Sequence, residues 1–235
     1  MNWFKPRRQQ FKYRHEIHTH LLPGLDDGVK TTEQALTLIA RLQKLGIERI
    51  SLTPHVTFPV YPNSRQRIEE AFASLLQKID SRGLDLQTGA EYRITEKIMT
   101  LVKEGEILPF YNRYVLIEMS FLAPSVYFEP LIFELLNYGY IPVLAHPERY
   151  PFLYNRFLER CGYMKKKGCL LQGNLLSLTG FYGHEAEKAL WQLLKAGLVD
   201  FIGSDLHSEM YADALEDFLF SSTGRKLNTF RFRNQ

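Results

Sequence analysis

A chain of 235 residues, 45% hydrophobic and 23% charged, has ordinary globular composition and the length of one large domain. Its formal charge of +3 is too small for a nucleic-acid footprint, and its basic residues crowd 1–14 and 222–235, which read as solubilising tails. The opening Met1-Asn2-Trp3-Phe4-Lys5-Pro6-Arg7-Arg8 has no secretory apolar stretch after its charges, and no apolar run reaches the roughly 20 residues of a membrane span.

Cys161 and Cys169 are two and lack a Cys-x-x-Cys spacing, which excludes a disulfide framework or zinc ribbon. The chain therefore reads as soluble and cytoplasmic, without stable membrane insertion. Along it, apolar runs at 15–20, 48–54, 84–91, 113–119, 141–146, 169–174 and 199–204 predict strands. Helical patterns lie between them. Behind a Thr31-x-x-Gln34 capping box, Leu36, Ile39, Leu42 and Leu45 recur at i, i+3 spacing. Ile68, Phe72, Leu75 and Ile79 follow, capped by Asn63 or Ser64, and later helices hold Phe133 to Leu136 and Ala189 to Leu194.

A glycine closes these patterns at Gly46, Gly83, Gly139, Gly168 and Gly197, and more loosely at Gly105, each just before an apolar run. Near-continuous apolar strands alternating with helices suit a parallel sheet covered on both faces. The predicted fold is α/β, a single domain over 1–235 built as a distorted (β/α)7 TIM-like barrel. An open doubly wound sheet is the alternative.

In such a barrel the site lies at the C-terminal strand ends. His18 and His20 end the first predicted strand, where i and i+2 share a face. Asp27 follows in Gly24-Leu25-Asp26-Asp27-Gly28. His55, Glu91, Glu118 and His146 end the next four runs, and Asp205 and His207 end the last. Burying so many carboxylates and imidazoles without a cation is costly. Imidazole and carboxylate donors without thiolates suit Mn, Fe or Zn in a hydrolytic centre, and nine ligands imply two or three ions. His15 and His184 lack such a placement and read as surface residues.

Arg149, three residues after His146, offers a bidentate fork for the oxygens of an anionic group. A thiol centre of the Cys-x5-Arg type needs Arg six residues after its Cys; here those positions hold Lys167 and Leu175, so that thiol mechanism is excluded. Phe58, Tyr61, Tyr92, Phe121, Tyr150 and Phe181 near strand ends are candidate pocket walls, with Tyr92 placed beside the substrate.

The segments Glu16 to Gly28 (EIHTHLLPGLDDG), Thr53-Pro54-His55, Gly89-Ala90-Glu91-Tyr92, Leu116-Ile117-Glu118, Ala145 to Tyr150 (AHPERY) and Ser204-Asp205-Leu206-His207 carry a family resemblance. In order over residues 15–210, they resemble the bacterial manganese-dependent tyrosine phosphatases of the polymerase-and-histidinol-phosphatase superfamily. These are the capsular-polysaccharide phosphatases of the CpsB/YwqE type. The resemblance implies Mn2+ held by His18, His20, Asp27, His55, Glu91, Glu118, His146, Asp205 and His207, with Arg149 engaging substrate phosphate. It also implies a phosphotyrosine substrate on a bacterial tyrosine kinase that governs capsule or exopolysaccharide synthesis, and it leaves an oligomer open.

Two departures stand out. Glu16 replaces the Asp of many members, with its side chain expected to point away from His18, and no Arg-Pro-x-His segment follows His207. A small-molecule phosphatase of the histidinol-phosphate type and a non-catalytic barrel binding protein are the competing readings.

Overall fold

A computed structural model describes residues 12–79 and 83–235. The predicted apolar runs become strands, all paired in parallel, with helices between them. β1 (His15–Glu16) pairs with β2 (Arg49–Leu52), and β2 with β4 (Asp85–Thr88). A six-stranded sheet follows in the order β3 (His55–Val56), β5 (Glu91–Arg93), β6 (Tyr114–Glu118), β7 (Ile141–Ala145), β8 (Leu170–Asn174) and β9 (Phe201–Gly203).

Two of the predicted runs are broken, 48–54 at Thr53-Pro54 and 84–91 at Gly89-Ala90. Pro54 has no N–H to give a ladder. Gly89 is a close approach: a Cβ there would lie 2.5 Å from the Phe110 Cα. Beyond the break the two strands pair again, with His55 opposite Glu91. At the other edge, Thr19 and Leu206 form a single parallel bridge, supported by the His20 amide to Leu206 O (2.9 Å) and the Asp205 amide to His18 O (2.9 Å). The ladders among the described residues thus form two sheets joined by this short seam, rather than one continuous ring.

Helices α1 (Thr32–Lys44), α2 (Arg65–Leu76), α3 (Glu96–Glu104), α4 (Phe128–Asn137), α5 (Phe157–Lys166), α6 (His184–Lys195), α7 (Glu209–Phe220) and α8 (Ser222–Lys226) complete the fold. The capping box forms at Thr31 and Gln34 as expected. The buried stripe of α1 is rotated from the expected one, to Ala35, Leu38, Ile39 and Leu42, leaving Leu36 and Leu45 partly buried at its edges. Ser64, not Asn63, caps α2, accepting from the Arg67 amide (3.2 Å). Asn63 is buried and donates to Leu25 O and His55 O. The recurrent glycine takes the left-handed backbone that closes a helix, as at Gly46 (φ 95°) before β2.

The main hydrophobic core lies between strands and helices. A second, smaller core joins Leu116, Val143, Ala145 and Phe201 of the six-stranded sheet to Ile17, just past β1, and Phe110, in the segment before β6. Ile17 and Ala145 directly precede His18 and His146, so this core forms the floor beneath the candidate ligands.

The C-terminal tail expected at 222–235 is instead a docked segment. Residues 222–226 are helical, Leu227 is buried, and Asn234 inserts between the first and last strands. Its amide donates to His15 O (2.8 Å) and Ile202 O (2.7 Å), and its Oδ1 accepts from the Ile202 amide (3.3 Å). Of the basic N-terminal stretch, residues 1–11 lie outside the described residues. Tyr13 is buried and Arg14 donates to Gly46 O. No described helix is long and apolar enough to cross a membrane.

Candidate metal centre

The candidate ligands converge at the strand C-terminal ends in three overlapping groups. Each brings its ligand atoms within 4.8 Å of one another: His20, Asp27, His55 and His207; His18, His20, Glu91 and Asp205; and His55, Glu91 and Glu118. His146 sits beside these groups, with its Nε2 3.2 Å from Glu91 Oε1. Asp205 (φ 55°) and His146 (φ 37°) both hold left-handed backbone, which is uncommon for non-glycine residues and clusters at functional sites.

The tautomers follow from the outer partners. Asp26 is acceptor-only when ionised and binds His20 Nδ1 at 2.7 Å, so that nitrogen carries the proton and the Nε2 lone pair faces inward. Gln172 spends its amide on Gly173 O (2.8 Å), so its Oε1 accepts from His18 Nδ1 (3.0 Å) and again leaves Nε2 as the free acceptor. His18 Nε2 then stands 3.2 Å from both Glu91 Oε2 and Asp205 Oδ1, and His20 Nε2 stands 3.1 Å from Asp205 Oδ1. Lone pairs face lone pairs. His18 Nε2, His20 Nε2, His55 Nδ1 and Glu91 Oε2 are buried without a hydrogen-bond partner. Acceptors converging in this way fit cations placed between them.

Protons compete with a cation for these inward-facing nitrogens, and a proton bound there turns the imidazole from acceptor to donor. Burial disfavours a charged His20, yet Asp26 outweighs it and lifts the imidazole to about 10. Burial acts likewise on His18 and is outweighed by Glu91 and Asp205, which raise it. Burial would raise Glu91 and Asp205, but His18 foremost, with its neighbours, holds both well below the carboxylate range. His146 goes the other way, lowered by burial and then by Arg149.

Arg149 lies at the edge, its Nη1 2.6 Å from Asp205 Oδ2 and its guanidinium 3.9 Å from the Tyr182 ring centre. A cavity of about 480 Å³ opens beside Asp27 and His207, lined also by Lys30, Met210 and Tyr211.

Several expectations need correction. Tyr92 does not face the site: one residue beyond Glu91 on β5, it takes the opposite face, is buried, and its hydroxyl accepts from the Leu108 amide (2.8 Å). Tyr150 is likewise buried, donating to Ala145 O (3.1 Å). Glu16 does not turn away from His18; its carboxylate accepts from the His18 amide (2.9 Å) and the Ser204 amide, pinning the first and last strand ends together. His15 is not a surface residue but is buried against Ser51 Oγ (2.8 Å), whereas His184 is exposed. Phe121 and Tyr61 do stand at the site, stacked on His146 (5.8 Å) and His55 (5.8 Å). Both cysteines are buried, and burial pushes each thiol up to about 12, so neither is a nucleophile.

Asp26, Gln172, Tyr182 and Asn174, whose Nδ2 donates to Asp205 Oδ2 (3.3 Å), escaped the sequence reading. The signal for Gln172 and Asn174 was a pair of amides inside an apolar run, since a buried polar side chain must have a partner.

The fold and site define an α/β protein carrying an imidazole–carboxylate centre at the strand ends. Residues 14–214 match the CpsB/CapC family of capsular polysaccharide synthesis, and the chain belongs to that family. It is 33% identical over 196 residues to CapC of Staphylococcus aureus, covering 82% of this chain and 76% of the relative. It is 30% identical over 200 residues to the tyrosine-protein phosphatase YwqE of Bacillus subtilis (strain 168), covering 82% and 77%. The crystal structures of YwqE from Bacillus subtilis and CpsB from Streptococcus pneumoniae are described as metal-dependent tyrosine phosphatases. The matching chain superposes with a TM-score of 0.76 at 28% identity, covering 92% of this chain and 91% of that one. The phosphotriesterase homology protein of Escherichia coli shares the fold at a TM-score of 0.53 and 12% identity, covering 93% and 92%.

Proposed function

We propose that this chain is a metal-dependent protein-tyrosine phosphatase that removes phosphate from a bacterial tyrosine kinase controlling capsule or exopolysaccharide synthesis. The observation that carries the reading is the set of inward-facing imidazole lone pairs set against carboxylate oxygens, with Arg149 at their edge. Family membership and the names of its relatives support it. The finer reading has the two sheets as one distorted (β/α)7 barrel and the protein as cytoplasmic.

His18, His20, Asp27, His55, Glu91, Glu118, His146, Asp205 and His207 would hold two or three ions, with Mn2+ the metal proposed. Bound there, they would supply an acidified water near neutral pH and positive charge for the phosphoryl oxygens. The chain's own residues do the rest. Asp26 and Gln172 fix the tautomers of His20 and His18. Arg149 presents a planar fork to two phosphoryl oxygens, a pairing that Lys does not reproduce. The floor of Ile17, Leu116, Val143 and Phe201 excludes water from beneath.

The test is turnover of a tyrosine-phosphorylated kinase tail after chelation, Mn2+ reconstitution and thiol alkylation. Chelation is expected to abolish activity, Mn2+ to restore it, and alkylation to leave it. Activity that survives chelation but dies on alkylation overturns the mechanism, and faster hydrolysis of histidinol phosphate overturns the substrate.

A further inference from the structure

Phe121 follows β6 three residues after Glu118, in a loop running from Met119 to Tyr127 that contains no charged residue. Its ring lies 5.8 Å from that of His146 at an interplanar angle of 22°, and 5.6 Å from that of Tyr150. The Arg149 guanidinium is 4.9 Å from the Phe121 centroid and 3.9 Å from that of Tyr182. The proposed phosphate-binding group is thus flanked by aromatic rings.

Tyr182 is engaged in turn with Phe181 (5.0 Å), which packs on Tyr211 (4.9 Å). Phe121 differs in staying 38% exposed despite its three neighbours. A phenylalanine held by a candidate ligand, an arginine and a buried tyrosine, yet open on its remaining side, has surface to offer a ligand.

We propose that Phe121 is the specificity-determining residue that makes this centre prefer aryl to alkyl phosphomonoesters. An ester engaged by Arg149 must lead its organic group away past the flanking rings. A phenyl group there gains ring contact and displaces water from Phe121. An alkyl group such as that of phosphoserine presents no flat face to match. The uncharged loop adds no carboxylate to repel the phosphate dianion. The inference rests on the phosphatase reading and names the residue that sets its substrate class.

A competing role for Phe121 is that of a simple cover over His146, which would affect every substrate alike. The experiment compares the Mn2+-loaded parent, Phe121→Leu and Phe121→Tyr. Readouts are kcat/KM for phenyl phosphate and for glycerol phosphate, and Mn2+ affinity by calorimetric titration.

One ring contact corresponds to about a tenfold change, so Phe121→Leu is expected to lower the aryl-to-alkyl ratio about tenfold. Phe121→Tyr is expected to restore the ratio to within about twofold, with Mn2+ affinity moving less than about threefold in either variant. An unchanged ratio, an equal fall for both esters, or a fall explained by lost Mn2+ affinity overturns the proposal. A parent that hydrolyses neither ester overturns the phosphatase reading as well, and is told apart by that parental result.

Discussion

Replacing Asp26 with Asn changes the charge beneath the centre while keeping its shape. One Asp26 oxygen accepts from His20 Nδ1 (2.7 Å) and the His55 amide (2.9 Å), and the other from the Gly28 amide (2.9 Å). An asparagine retains one accepting oxygen. If that oxygen serves His20 and His55, its NH2 group confronts the Gly28 amide, donor against donor; the reverse orientation strands two donors. A hydrogen bond to a charged group contributes about 1.5–3 kcal/mol, and a stranded buried donor costs about 1–3 kcal/mol. The metal-free protein is therefore expected to lose about 2–4 kcal/mol of stability, since the two remaining bonds also weaken to neutral strength. The His20 tautomer loses its acidic partner, and substitution of such a partner typically weakens metal binding about 10–100-fold. Urea unfolding without metal and calorimetric titration with Mn2+ measure the two effects. A stability loss below about 1 kcal/mol, together with Mn2+ affinity within about threefold of the parent, refutes the reasoning.

Tyr92→Phe should cost about 1–3 kcal/mol by stranding the Leu108 amide, with kcat/KM on phosphotyrosyl peptide unmoved; a rise in KM would return Tyr92 to the pocket. Glu148 is fully buried, and burial raises its carboxyl from 4.5 to about 7. The folded state therefore keeps a proton that the unfolded chain has already released, so this contribution is present below pH 4.5 and lost as pH rises through about 7. Glu148→Gln, which keeps an oxygen for the Asn174 amide and Ser177 Oγ, should gain on the parent by up to about 3 kcal/mol across that window. Denaturation of the metal-free proteins at several pH values tests this, and a flat difference refutes it. Asn234→Ala removes three hydrogen bonds across the first and last strands and should cost about 2–4 kcal/mol in urea unfolding while leaving Mn2+ affinity nearly unchanged.

The site was legible further than the walls around it. His18, His20, Asp27, His55, Glu91, Glu118, Asp205 and His207 could be read as one set because strand ends impose order on residue type, and these side chains do converge. Their supports were less legible: Gln172 reaches His18 from 154 residues away, and of the adjacent Asp26 and Asp27 nothing in the spacing said which would turn to His20. Tyr92 was misplaced by proximity to Glu91; neighbours on a strand face opposite ways. The α/β alternation and glycine caps were visible, but the breaks at Pro54 and Gly89 were not. The break at Gly89 depends on how close Phe110 passes, and Pro54 was read as ending a strand rather than interrupting one that resumes at His55. The C-terminal segment misled because basic composition suggests solvation, while its anchor is the neutral Asn234.

The seam between Thr19 and Leu206 has a consequence for how the protein opens. His18 and His20 lie on one side of it and Asp205 and His207 on the other, with few backbone hydrogen bonds spanning the gap. A hinge there would part the two ends of the ligand set while leaving the six-stranded sheet intact. Ions bound across it would act as a clasp whose binding energy adds directly to the cost of opening. Amide exchange at His20 and Asp205 would then report metal occupancy from the backbone, with no substrate present.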